Sequence, residues 1–245
     1  MPPGASAGAP VAAVALAHGS AHDQLTYYDL ARDLAKRGLA VLTYDWRGKA
    51  ESRDDDKWFR GKVPYPSDPA WVKTYGSAVD PQMTKIYLDV QAAIGFLTAQ
   101  EGVDPTRIGL VGATWSTDHV IRAAAEDPRV KAMVFFSPGG GVGIPKDELM
   151  KYIQTLDVPM LSIASEDDLY EGGLVSGWVG ATTEVELSKK VYMASKSKYS
   201  QLLIYTHGGH GSKILFDQPQ VRPTVVRWFV EKLDKDWPKG APASR

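Results

Sequence analysis

Apolar positions along the chain follow two periods in turn. Residues 11–17 (VAAVALA) form an almost continuous apolar run, the pattern of a strand covered on both faces. Residues 24–37 carry Leu30, Leu34 and Ala35 on one side with Gly38 just beyond, which predicts a helix closed by a glycine C-cap. A second strand is expected at 39–44 (LAVLTY). Residues 82–99 give the clearest helical period, with Ile86, Val90, Ala93, Ile94 and Leu97 in step. After a loop at Asp104-Pro105, the pattern predicts strand 107–113, helix 115–126, strand 130–136, helix 146–155 and strand 159–164. Helical or lid-like chain to about 194, strand 201–206 and a last helix at 219–234 complete it. Six strands alternating with helices predict an α/β fold, a mostly parallel sheet with helices on both faces.

Two segments break the pattern. Residues 1–10, rich in Pro, Gly, Ala and Ser, read as a disordered or extended leader. Residues 46–80 are long, polar and rich in Trp, Pro and Asp, as in a cap-like insertion. No linker divides the rest, so 11–245 is expected to be a single domain. The run at 11–17 resembles the apolar stretch of a signal peptide, but no Lys or Arg precedes it, and a buried strand is the preferred reading. No apolar run approaches the ~18 residues of a membrane-spanning helix, and a cytoplasmic location is the default expectation.

Composition narrows the chemistry. The 245 residues contain no cysteine, which excludes a thiol nucleophile, a disulfide framework and a Cys-type zinc site. A net charge of -1 gives no general electrostatic reason to expect nucleic acid or an anionic membrane as a partner. His207 and His210 have H-x-x-H spacing, but they lie in a glycine loop with no third ligand evident, so no metal is expected. The run Gly139–Gly143 lacks the Lys-Ser/Thr of a phosphate loop and the sixth-position glycine of a dinucleotide fingerprint, and no cofactor is expected either.

In a parallel sheet, chemistry collects beyond the carboxyl ends of the strands. There the chain places His18-Gly19-Ser20, Asp45-Trp46-Arg47-Gly48, Thr114-Trp115-Ser116, Ser165-Glu166-Asp167-Asp168 and His207-Gly208-Gly209-His210-Gly211. A hydroxyl, a carboxylate and a histidine follow one another in that order, as nucleophilic hydrolysis on such a sheet requires. Asp45 and Arg47 are expected to form an ion pair or hold their turn, His18 to organise its loop, and residues 54–56 (DDD) to be a solvated loop.

These stretches, with YDWRGKAES (44–52), VDPTRIGLVGATWS (103–116) and VPMLSIASEDD (158–168), resemble the α/β-hydrolase superfamily, especially its dienelactone hydrolase and esterase branch. The resemblance runs from residue 11 to about 234. Two further strands usually precede the His-Gly strand in that family, which implies a shorter sheet or missing N-terminal strands here. It also implies roles: Thr114 as nucleophile, His210 as base, Asp168 as the acid that orients it, and the backbone N–H groups of Ser20 and Trp115 as an oxyanion hole. Trp46 and Tyr170, among the aromatic residues of the connecting segments, are candidate pocket residues. The elbow departs from G-x-S-x-G: Thr114 stands at the serine position and Ser116 at the second glycine, while Ala50 replaces a usual glycine in the 44–52 stretch. The implied function is hydrolysis of small-molecule carboxylic esters. The alternative is a catalytically impaired relative with a binding or scaffold role. A dehalogenase is excluded, because the elbow carries no Asp.

Overall fold

Alternate residues of the first strand enter two different cores. In β1 (Val11–Ala17), Ala13, Ala15 and Ala17 face one side, while Ala12, Val14 and Leu16 face the other. All six are buried, which is why the run shows no polar alternation. The computed structural model describes residues 1–20, 22–52, 83–139, 144, 146–168 and 183–237. Within them, β1 joins β2 (Ala40–Tyr44), β3 (Val103–Thr114), β4 (Val130–Pro138), β5 (Met160–Ser165) and β6 (Gln201–Tyr205). The order is β2-β1-β3-β4-β5-β6, and every pairing is parallel.

Helices cover both faces. On one side pack α2 (Ile86–Thr98), α3 (Ser116–Glu126), α4 (Lys146–Thr155) and α5 (Glu184–Ala194), through Ile94, Val120, Leu149 and Leu187. On the other lie α1 (Tyr28–Lys36), α6 (Ile214–Asp217) and α7 (Val221–Lys232), through Leu30, Leu34, Ile214 and Phe229. Each such side chain, fully buried, contributes on the order of 1.5–3 kcal/mol. Strand order reverses between β1 and β3, so the crevice of an open α/β sheet opens beyond their carboxyl ends.

Several expectations are corrected in detail. The leader is described and docked: Ser6 bridges to Ala9, and Arg107 Nη2 donates to the Pro10 carbonyl at 3.2 Å. Strand β3 begins at Val103, before the expected loop, because the Asp104 carboxylate accepts the Thr106 N–H at 2.9 Å and folds a bulge into the strand. The helix expected from residue 24 opens as a 3-10 turn, Gln24–Tyr27, capped by the Asp23 carboxylate. Most of the insertion at 46–80 and the glycines at 140–143 lie outside the described residues. No described helix is long and apolar enough to cross a membrane.

Candidate active site

The junction of β3 and α3 is an abrupt turn. Thr114 ends the strand with φ 50°, and Ser116 begins the helix. A left-handed backbone is uncommon for any residue with a Cβ, and for a β-branched one it is a true outlier. Gly112 permits the turn, since a Cβ there would stand 2.9 Å from Thr117 Cα. Ser116 is fully buried; its Oγ accepts the Ala113 N–H at 2.9 Å and donates to the Ala17 carbonyl at 2.9 Å. Ser116 therefore ties the helix start to β1 and is not available as a nucleophile. The N-terminal dipole of α3 makes the region around Trp115 favourable to developing negative charge.

The carboxylate and imidazole meet across the β5 and β6 ends. His210 Nδ1 lies 3.0 Å from both Oδ1 and Oδ2 of Asp168, whose side chain is buried. Neighbouring contacts hold the loop around them. Ser165 Oγ donates to the Gly209 carbonyl at 2.8 Å, and the Gly209 N–H donates to Asp167 Oδ1 at 2.9 Å. That N–H first, with the Ser165 hydroxyl and others helping, holds the Asp167 carboxyl below its usual range. His207 faces Asp167 at 3.6 Å while His210 faces Asp168, so the two rings address different carboxylates instead of one metal position. No group of three or more His, Asp or Glu among the described residues is arranged to hold a metal ion.

Thr114 lies between the two loops. A Cβ placed on Gly19 would stand 2.7 Å from Thr114 Oγ1, and one on Gly211 would stand 2.7 Å from its methyl group. The hydroxyl thus faces the His18-Gly19 loop and the methyl faces the His210-Gly211 loop. Oγ1 is buried and makes no hydrogen bond among the described residues. On the hydroxyl side, the Ser20 carbonyl accepts from Lys49 Nζ, and the His22 N–H closes a turn onto the Gly19 carbonyl at 3.2 Å. Burial and then the neighbouring His210 lower the pKa of His22.

The supporting residues divide differently from expectation. His18 organises its loop: Nδ1 lies 2.8 Å from the Gly19 carbonyl and Nε2 3.2 Å from Asp45 Oδ1, although that second contact lacks hydrogen-bond geometry. Burial lowers its pKa. Asp45 and Arg47 do not pair with each other. Arg47 instead grips Asp89 of α2 through Nε and Nη2, the latter at 2.7 Å. Trp46, a candidate pocket residue, is wholly buried: it stacks on His18 with centroids 5.4 Å apart and donates to the His18 carbonyl. It shores up the loop and offers no open surface. Tyr170 lies outside the described residues, as do Asp54–Asp56. Ser137, absent from the sequence-derived set, donates from Oγ to Asp168 Oδ2 at 2.7 Å. Its signal was present: it is the first polar residue after the apolar run 130–136, the position that picked out the other site residues.

A parallel sheet with this order, a strained turn leading into a helix and an Asp-His pair at later strand ends define an α/β hydrolase. The chain belongs to the family described as Serine aminopeptidase, S33, whose sequence pattern matches residues 8–169. An uncharacterized 31.7 kDa protein of the traX-finO intergenic region of Escherichia coli is 32% identical over 104 residues, 42% of this chain. The match spans only 29% of that relative's length. A dienelactone hydrolase of Anabaena variabilis shares the fold with TM-score 0.63 and 18% identity, over 95% of this chain and 89% of its own. A 2,6-dihydroxy-pseudo-oxynicotine hydrolase gives TM-score 0.65 and 16% identity, over 97% and 67%. An esterase of Pyrococcus furiosus gives 0.62 and 17%, over 91% and 83%. The family match and the shared fold bear out the α/β-hydrolase membership expected from the sequence.

Proposed function

We propose that the protein hydrolyses carboxylic esters of small molecules with Thr114 as nucleophile. The observation that carries this reading is the left-handed backbone of Thr114 at a strand-to-helix turn, opposite a histidine already paired with a buried carboxylate. Such strain costs on the order of 1–3 kcal/mol and concentrates at functional sites. In the proposed reaction Thr114 Oγ1 attacks the acyl carbon while His210 Nε2 takes its proton. Asp168 stabilises the imidazolium through Nδ1. The backbone N–H groups of Trp115 and Ser20 receive the oxyanion, each worth on the order of 10²–10³ in rate. The imidazolium returns the proton to the leaving alcohol, and water, deprotonated by His210, then cleaves the acyl-threonine.

One observation favours the impaired alternative. The hydroxyl faces Gly19 and makes no hydrogen bond to His210, so a χ1 rotation must carry it to the methyl's place, and the methyl to the third staggered position, before the proton can pass. A β-branched side chain on a left-handed backbone has few χ1 positions open to it, which opposes that rotation. Serine would not meet this obstacle. Thr114→Ser is therefore expected to raise kcat on p-nitrophenyl acetate about 10–100-fold, the scale of an orientation error. Thr114→Ala and His210→Ala are expected to abolish turnover. A wild type inert on every acyl length and unlabelled by a fluorophosphonate, but active as Thr114→Ser, would assign the chain to the impaired class.

A further inference from the structure

The carboxyl end of β4 touches the site at three points. Ser137 Oγ donates to Asp168 Oδ2 at 2.7 Å and accepts the Gly211 N–H at 2.9 Å. Two residues on, the Gly139 N–H donates to the Thr114 carbonyl at 3.2 Å. Gly139 lies so close behind Thr114 that a Cβ on it would stand 2.8 Å from the Thr114 carbonyl carbon. Ser137 itself is buried and has φ 43°, a backbone that residues with a Cβ avoid. Its hydroxyl has one proton and two lone pairs, and both capacities are in use on partners from different loops.

We infer that Ser137 is a positioning residue, whose hydroxyl holds the Asp168 carboxylate and the His210-Gly211 backbone in one register above Thr114. The inference rests on the reading of Thr114, His210 and Asp168 as the catalytic set. Both Asp168 oxygens lie at the same distance from Nδ1, so the Asp-His contact alone leaves the carboxylate plane weakly defined. A donor fixed on Oδ2 selects one orientation. The histidine loop needs a similar restraint, because Gly208, Gly209 and Gly211 have positive φ values of 157°, 63° and 62° and little side-chain packing of their own. One oxygen bonded to both keeps the imidazole and the carboxylate from drifting apart, and the strain at Ser137 is the cost of aiming it there.

Two variants separate the hydroxyl from the backbone. Ser137→Ala removes the hydroxyl and keeps the unfavourable φ, whereas Ser137→Gly removes the hydroxyl and relieves it. The first readout is the low-field proton resonance of His210 Nδ1–H, identified by its loss in His210→Ala and independent of turnover. Wild type is expected to show it protected from water exchange, and both variants to lose that protection. On p-nitrophenyl acetate both are expected to lose about 10–100-fold in kcat with KM within about 2-fold of wild type. Ser137→Gly is expected to melt no lower than Ser137→Ala. A wild-type resonance in both variants, wild-type kcat in Ser137→Gly, or no protected resonance in wild type would each overturn the inference. Wild type inert on every ester, with a resonance still lost in both variants, would remove the esterase reading and leave the positioning role standing.

Discussion

Ala50, Thr114 and Ser137 are the residues other than glycine that take a left-handed backbone among those described, with φ of 34°, 50° and 43°. All three stand beyond or at the carboxyl ends of strands, where the site is built. Hydrogen bonds between the Ser137 hydroxyl and its two partners, and from the Gly139 N–H to the Thr114 carbonyl, hold two of them in place. Ala50 stands where the resemblance implies a glycine, and the turn it occupies takes a conformation that glycine adopts freely. Ser52 Oγ, donating to the Asp45 carbonyl at 2.6 Å, holds that turn in place despite the misfit. Ala50→Gly should therefore stabilise the fold by about 0.5–1 kcal/mol, the relief of the backbone less the larger unfolded-state entropy of glycine. A urea midpoint that rises without a change in slope would show it, and an unchanged or lower midpoint would deny a left-handed turn at residue 50. That Ala50 departs from the family pattern was legible in the sequence, but that it sits in a strained turn was not, because dihedrals are set by contacts distant in the chain.

At the scale of elements, the strands were legible because burial on both faces leaves unbroken apolar runs, as in β1 and at residues 132–136 of β4. Boundaries were less so. The start of β3 was hidden by Asp104-Pro105, which reads as a loop but forms a bulge, and α6 has four residues, too few to display a period. The elbow's supports were the least legible. Ser116 stands in sequence only as a departure at the second glycine of the elbow, yet its oxygen closes the junction of β1, β3 and α3 by bonds to Ala113 and Ala17. Only the fold brings residue 17 beside residue 116. Removing that oxygen leaves a buried N–H without its acceptor, so Ser116→Ala should cost about 1–3 kcal/mol. Loss of stability with fluorophosphonate labelling of Thr114 retained is the expected outcome, measured by denaturation and by mass spectrometry of the adduct. Abolished labelling at full stability would instead deny that Ser116 is a structural support.

Taken as a whole, the molecule gathers Thr114, Asp168 and His210 where the two cores end, and it buries a further carboxyl group, that of Glu184, nearby. The hydroxyl, acid and histidine could be read as candidates from strand ends alone, since each lies next to a recognisable apolar run. Glu184 could not, because nothing in residues 183–194 sets it apart from an exposed carboxylate in the first turn of a helix. In the fold it is 1% exposed, and both carboxyl oxygens lack a hydrogen-bond partner among the described residues. Burial first, then the nearby Asp168 and Asp118, raise its pKa to about 9 from 4.5. Between these values the folded protein holds a proton that the unfolded chain has released, so stability must fall as pH rises through that window. The contribution is fully present below pH 4.5 and lost as pH approaches 9. Glu184→Gln keeps the shape of the protonated side chain and removes the titration. The variant should therefore gain on wild type by about 1 kcal/mol per pH unit between pH 6 and 8, somewhat under the limiting slope for one proton. Urea midpoints at a series of pH values measure the gap directly. Parallel profiles would mean that Glu184 is already ionised in the folded state and that an opposite charge or a hydrogen-bond donor reaches it.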